Sequence, residues 1–166
     1  WLLCNGYMRY SSSQIVFQEI PTEISLAYQI TGCPLKCAGC HSSDLWSSFS
    51  GQELTLESLD KDLEKYIEYI SCVLFLGGEW DESGLEQLLN RIKSYDLKTA
   101  LYTGLEVQQV SQPILNLLDY LKYGPYIANF GPLTSPTTNQ KLVNLNTNEN
   151  LNYYFLHGGN HDSIRY

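Results

Sequence analysis

The 166-residue sequence has few basic residues and no long apolar run. Lysine and arginine number 10 against 18 aspartates and glutamates, a formal net charge of −8, whereas nucleic acids and anionic membranes are bound through clustered positive charge. No apolar stretch approaches the ~20 residues that span a bilayer. We therefore expect no nucleic-acid partner and no membrane partner, which leaves small molecules or another protein.

Methionine is nearly absent, and the chain lacks the features of a signal peptide. Met8 is the only methionine, and residues 1–7 have neither a charged start nor a long apolar core. We interpret Met8 as the natural start and residues 1–7 as upstream or vector-derived, so that Cys4 has no role. Five cysteines, three of them in one short loop, suit a metal better than a disulfide framework, which predicts a reducing, cytoplasmic setting.

Apolar residues make up 43% of the sequence, and their spacing alternates between that of strands and that of helices. Short apolar runs near glycine or proline predict four strands, at 24–30, 72–78, 98–104 and 118–127. Leucines and isoleucines three or four residues apart predict three helices, at 55–70 with Thr55 as N-cap, at 85–95, and at 106–118 with an interruption at Pro113. The alternation predicts an α/β fold with a parallel sheet and crossover helices.

In such folds the functional groups lie in loops beyond the carboxyl ends of the strands. Three motifs follow predicted strands in this way: the loop that starts at Cys33, Gly77–Glu79, and Thr103–Gly104. We expect them at one edge of a single domain, 8–152. The asparagine-rich stretch 144–152 is expected to form an exposed strand or hairpin, and 153–166 a loose C-terminal tail.

Three cysteines, Cys33, Cys37 and Cys40, occupy eight residues of one loop. Three thiolates are one ligand short of a closed tetrahedral zinc site or a fully protein-ligated cubane cluster. His41 could complete the set, although adjacent Cys40 and His41 would struggle to face one ion, or the position could stay open for a substrate. Three cysteines without metal are a further alternative.

The segment "CPLKCAGC" resembles the CxxxCxxC signature of the radical S-adenosylmethionine (SAM) superfamily, and "LGGEWD" resembles its GGE motif. The resemblance implies a partial, open, TIM-like (β/α) barrel. It implies a [4Fe–4S] cluster on Cys33, Cys37 and Cys40, whose fourth iron binds the amino and carboxylate groups of SAM. It also implies that Gly77, Gly78 and Glu79 meet the methionine part of SAM, and we add Thr103 as a further cofactor-binding candidate.

Within that superfamily the chain is similar to the activating proteins of anaerobic ribonucleoside-triphosphate reductase. The likeness covers about 8–145 and rests on "CAGCH" with Trp46 nearby, "YTG", "DYLKYGPYI" and "TNQKLVNL". It implies an enzyme that takes one electron from flavodoxin or ferredoxin and cleaves SAM reductively. The 5′-deoxyadenosyl radical so formed would generate a glycyl radical on the reductase. No catalytic side chain is implied beyond the cluster and SAM.

The sequence departs from that family at three places. "IPTEIS" at 20–25 stands where many activases have "NGPG", Trp80 follows the acidic residue where others often have proline, and Gly39 leaves the adenine contacts unassigned. We expect Cys72 to be a buried structural cysteine, Lys36 a surface lysine, and the histidines at 157 and 161 exposed. Alternative functions are an activase of another glycyl-radical enzyme, a small-molecule radical SAM enzyme, or a non-catalytic metal-binding interaction module.

Overall fold

The computed structural model describes residues 8–36 and 43–156. The strands in these residues are β1 (Arg9–Val16), β2 (Ser25–Ile30), β3 (Gln52–Glu53), β4 (Cys72–Leu76), β5 (Lys98–Tyr102), β6 (Tyr120–Tyr123), β7 (Lys141–Asn144) and β8 (Glu149–Asn150). The helices are α1 (Leu56–Tyr66), α2 (Glu82–Lys93), α3 (Gln112–Leu117) and α4 (Tyr153–Leu156). Two 3-10 turns lie at Ser43–Trp46 and Val107–Gln109.

The strands form one sheet in the order β3-β1-β2-β4-β5-β6-β7-β8. The four central strands, β2, β4, β5 and β6, are parallel, and the strands on either side pair antiparallel. Within the described ranges the two edge strands, β3 and β8, do not pair with each other, so the sheet is open. The predicted α/β class and parallel sheet are confirmed.

Helical crossovers connect the parallel strands because each helix buries one apolar face on the sheet. Thr55 begins α1 as predicted: its Oγ1 accepts a hydrogen bond from the Ser58 N–H (3.0 Å), and Ser58 Oγ accepts one from the Thr55 N–H (2.9 Å). Leu59 and Leu63 of α1 are fully buried. Asp81 begins α2 in the same way, accepting from the N–H of Gly84 at 3.1 Å.

The prediction of one helix over 106–118 is wrong, because the segment forms two separate elements. The chain forms a 3-10 turn at Val107–Gln109, becomes extended at Val110 and Ser111, and only then starts α3, with Pro113 in its first turn. A proline lacks the N–H that an interior helical position needs, but the first turn leaves that group unused. Pro113 therefore helps to begin α3 instead of interrupting a longer helix.

The strand β1 is an element that the apolar pattern does not predict, because residues 11–14 in its middle are exposed and three of them are serines. It pairs antiparallel with β2. Between the two strands the chain turns at Pro21, where the Glu23 N–H donates to the Ile20 carbonyl oxygen (3.1 Å). Thr22 has a φ of 71°, a conformation that type II turns usually give to glycine.

Both faces of the sheet are covered by apolar side chains. Neighbouring strand residues point to opposite faces, so Phe75 packs among the side chains of α1, α2 and α3 while Leu74 packs on the other side. That second side is covered by Ile20 of the turn, by Leu133 and by Leu151. The predicted asparagine-rich hairpin is confirmed as β7 and β8. No helix in the described part of the chain is long and apolar enough to cross a membrane.

Candidate functional site

The carboxyl ends of the parallel strands bring the predicted site residues to one edge of the sheet. Cys33 follows β2, Gly77–Glu79 follow β4, and Thr103 follows β5, and these three strands are adjacent in the sheet. The predicted common edge is therefore confirmed for these residues. Cys37 and Cys40, together with His41, lie outside the described residues.

Backbone hydrogen bonds hold together the two ends of the cysteine loop. The N–H groups of Gly32 and Cys33 both donate to the carbonyl oxygen of Leu45, at N···O distances of 2.7 and 3.3 Å. Leu35 lies against Gly104, because a Cβ added to that glycine would be 2.8 Å from Leu35 Cδ1. The start of the loop is thus fixed over the end of β5. Lys36 is exposed, as predicted.

The two glycines after β4 are required by backbone shape and by close packing. Gly77 has a φ of 89° and Gly78 a φ of 112°, where other L-residues are strained. A Cβ on Gly77 would be 2.7 Å from the Trp80 ring, and one on Gly78 would be 3.2 Å from Met8 Cε. The packing of Trp80 and Met8 on these glycines was not predicted from the sequence. The only signal was the unusual tryptophan after the acidic residue.

Glu79, which is partly buried, and Thr103, which is buried, form a hydrogen-bonded pair at this edge. Thr103 Oγ1 donates a hydrogen bond to Glu79 Oε1 (2.6 Å) and accepts one from the Leu105 N–H (3.0 Å). The other carboxylate oxygen, Oε2, is buried and has no hydrogen-bond partner among the described residues. Burial raises the pKa of Glu79, and the hydrogen bond from Thr103 lowers it only in part.

A buried carboxylate oxygen without a donor costs free energy, and a ligand that brings a donor removes that cost. A positively charged N–H donor is the best complement, since it also stabilises the ionised form of Glu79. The ammonium of an α-amino acid is such a donor. The site can therefore bind the amino end of a ligand at Glu79, next to the start of the cysteine loop.

Cys72 is not part of this site. It is the first residue of β4, at the opposite end of that strand from Gly77, and its side chain is fully buried. Burial raises the pKa of its thiol to about 12, so the thiolate that binds metals is disfavoured. The prediction of a buried structural cysteine agrees with this placement. The histidines at 157 and 161 lie beyond the described residues.

Comparison with known proteins gives one family and several relatives. The family described as "4Fe-4S single cluster domain" matches residues 24–150. The pyruvate formate-lyase-activating enzyme of Clostridium pasteurianum is 36% identical over 79 residues, which cover 44% of this chain and 33% of that protein. The pyruvate formate-lyase 1-activating enzyme of Escherichia coli (strain K12) is 34% identical over 58 residues, 35% of this chain and 22% of that protein.

A third relative is the anaerobic ribonucleoside-triphosphate reductase-activating protein of Enterobacteria phage T4, which is 26% identical over 109 residues. The match covers 60% of this chain and 69% of the phage protein. The chain thus spans a third or less of the two lyase-activating enzymes and about two thirds of the phage protein. These matches confirm the resemblance to activating proteins that the sequence predicted.

Proposed function

The chain belongs to the 4Fe-4S single cluster domain family, and from that premise we propose that it is a radical SAM enzyme that activates a glycyl-radical enzyme. We propose that Cys33, Cys37 and Cys40 bind the [4Fe–4S] cluster. The observation that carries the proposal is the buried oxygen of Glu79 that has no partner among the described residues, at the same edge as Cys33, because it calls for an N–H donor of the kind that SAM carries.

The chemistry of the proposed residues suits both cofactors. Three cysteine thiolates are the usual ligands of iron–sulfur clusters, and a set of three leaves one iron open. When bound, the cluster and SAM supply one-electron chemistry: reductive cleavage of the SAM carbon–sulfur bond yields a radical that takes a hydrogen atom from a glycine of the partner. We propose that Glu79 accepts a hydrogen bond from the amino group of SAM, and that Gly77 and Gly78 let the ligand approach the backbone.

The chain itself supplies position and exclusion of water. The hydrogen bonds from Gly32 and Cys33 to Leu45 close the base of the cysteine loop, and Leu35 packs it onto Gly104. The Trp80 ring packs on Gly77 and so places an apolar side chain at the glycine turn that precedes Glu79. A low local dielectric strengthens the interaction between a carboxylate and an ammonium. We propose that the open sheet corresponds to the partial (β/α) barrel of this superfamily.

We propose anaerobic ribonucleoside-triphosphate reductase as the partner, and flavodoxin or ferredoxin as the electron donor, in a reducing cytoplasm. The support is the phage T4 relative, of which the chain covers 69%, against 33% and 22% of the two pyruvate formate-lyase-activating enzymes. Pyruvate formate-lyase is the alternative partner, because those two relatives have the higher identity.

Anaerobic reconstitution with iron and sulfide tests the cofactor assignment. We expect four irons per chain on the three proposed cysteines, and 5′-deoxyadenosine when the reduced protein is mixed with SAM. Cys37→Ala should abolish both, whereas Cys72→Ala is the matched control and should keep both. Stoichiometric zinc without SAM cleavage would instead support the non-catalytic metal-binding module.

The partner is tested by electron paramagnetic resonance on mixtures with each candidate. The reduced protein and SAM are incubated with the host's anaerobic ribonucleoside-triphosphate reductase or, separately, with pyruvate formate-lyase. We expect a glycyl-radical signal with the reductase and none with the lyase. The reverse result would assign the chain to the lyase, and a signal from Cys37→Ala would contradict the cluster site.

A further inference from the structure

Thr103 is buried, and hydrogen bonds fix both its backbone and its side chain. Its side chain is 3% exposed. Its own N–H donates to the carbonyl oxygen of Lys122 on the adjacent strand β6 (2.8 Å), so the backbone is fixed by the sheet. The Leu105 N–H donates to its hydroxyl at 3.0 Å, and the hydroxyl donates to Glu79 Oε1 at 2.6 Å.

The direction of these hydrogen bonds follows from the groups involved. The Leu105 N–H is a donor only, so it occupies a lone pair of the Thr103 oxygen. A hydroxyl has one proton, and that proton points to Glu79. Thr103 therefore has no proton left with which to bind the carboxylate or hydroxyl groups of a ligand.

We propose that Thr103 is a positioning residue that acts through Glu79, and that it does not itself contact SAM. Its hydroxyl holds Oε1, and it thereby orients Oε2, which has no partner among the described residues, toward the amino group of SAM. The inference rests on the proposed function, and it replaces the expectation that Thr103 is a cofactor contact. The chain from Leu105 through Thr103 to Glu79 thus fixes where the amino end of the ligand is bound.

Measurements of SAM affinity in two variants show whether the hydroxyl of Thr103 or only the shape of its side chain matters. In the reconstituted protein Thr103→Val, which keeps the shape and removes the hydroxyl, should weaken SAM binding about tenfold, because a hydrogen bond to a charged group is lost. Thr103→Ser restores the hydroxyl and should bind within about threefold of the native chain. KM for SAM should rise in Thr103→Val while kcat stays nearly constant.

Thr99→Val is the matched control. Thr99 lies at the opposite end of β5, is also fully buried, and donates its hydroxyl to the carbonyl oxygen of Leu117 (2.5 Å). Its replacement should lower stability without changing SAM affinity. If Thr99→Val and Thr103→Val weakened SAM binding equally, the effect would be one of general stability, and the positioning role would be overturned.

A double-mutant cycle separates positioning from direct contact. If Thr103 acts through Glu79, then Thr103→Val should have no further effect on SAM affinity once Glu79 is replaced by alanine. If Thr103 contacts SAM, the two losses should add. Additive losses would overturn the inference even if both single variants bind weakly.

A pH titration of Glu79 in the apoprotein tests the inference without the cluster. With carboxyl-labelled glutamate, the NMR signal of Glu79, assigned with Glu79→Gln, should titrate at a higher pH in Thr103→Val, because the hydrogen bond that lowers the pKa is gone. Thr103→Ser should restore the native pKa. An unchanged pKa in a folded Thr103→Val protein would overturn the inference alone, whereas absence of SAM cleavage would overturn the proposed function.

Discussion

The parallel sheet has one glutamate at each end, Glu23 buried and Glu79 partly buried, and the two differ in how many hydrogen bonds they receive from other side chains. Glu23, at the amino end, is 5% exposed. Its carboxylate accepts from Ser71 Oγ at 2.5 Å, from Tyr120 Oη at 2.7 Å and from Lys98 Nζ. Glu79, at the carboxyl end, accepts from one other side chain, that of Thr103, and has one buried oxygen without a partner among the described residues.

The two pKa values shift in opposite directions although burial acts on both carboxyl groups in the same sense. Burial raises the pKa of Glu23, but Lys98 and the hydroxyls of Ser71 and Tyr120 outweigh it, so the pKa is lowered. At Glu79 burial prevails over the hydrogen bonds from Thr103 and from the Glu79 backbone, and the pKa is raised. A carboxylate with a full set of partners stabilises the fold. The incomplete set at Glu79 is the place where we propose that a ligand binds.

The largest effect on stability is expected from replacing Glu23, the glutamate that has the full set of partners. Glu23→Gln should lower the free energy of unfolding by about 3 kcal/mol, because the hydrogen bonds of Ser71 and Tyr120 lose a charged acceptor. Lys98 is half exposed, so its ion pair adds little to this loss. Glu79→Gln should leave stability unchanged or raise it slightly. Urea denaturation of both variants checks the contrast, and equal losses would contradict it.

A substitution in the glycine turn next to Glu79 should lower the free energy of unfolding somewhat less than Glu23→Gln does. Gly77→Ala is expected to lower the free energy of unfolding by about 2 kcal/mol, since alanine is strained at a φ of 89° and its Cβ meets the Trp80 ring. Tryptophan fluorescence of the native state should change because Trp80 must move. A variant with native stability and an unchanged spectrum would contradict the close packing.

The pH dependence of stability should distinguish the two ends by sign. Because its pKa is lowered, Glu23 contributes stability above the usual glutamate value of 4.5 that is lost as pH falls through its lower native value. Because its pKa is raised, ionised Glu79 costs stability as pH rises from 4.5 through its higher native value. The difference in the free energy of unfolding between the native protein and Glu23→Gln should become smaller in acid. Any gain in the free energy of unfolding of Glu79→Gln should also disappear in acid. Thermal melts at several pH values test both trends.

The smallest effect should come from the turn that places Glu23. Thr22→Gly should raise the free energy of unfolding by about 1 kcal/mol, because threonine is strained at a φ of 71° and glycine is not. Asp96, with a φ of 59°, is the matched control, and Asp96→Gly should gain less because aspartate tolerates this region better. A larger gain at Asp96 than at Thr22 would contradict this account of the turn.

Local sequence signals predicted much of the fold and the candidate residues of the site, but not the hydrogen bonds between them. The apolar run before Gly77 predicted β4, and Thr55 predicted the start of α1, because both depend on near neighbours. The strand β1 was missed since its serines face solvent. The bond between Glu79 and Thr103 joins residues 24 positions apart, and only the parallel pairing of β4 and β5 brings them together.

The central claim is that Oε2 of Glu79 accepts a hydrogen bond from the amino group of SAM. The most direct measurement is equilibrium dialysis of labelled SAM, and of an analogue that lacks the amino group, against the anaerobically reconstituted protein. The native chain should bind SAM at least about tenfold more tightly than the analogue. Glu79→Gln should reduce that preference and keep the part that the cluster iron would contribute by binding the same amino group. Equal affinity of the native chain for SAM and the analogue would contradict the claim.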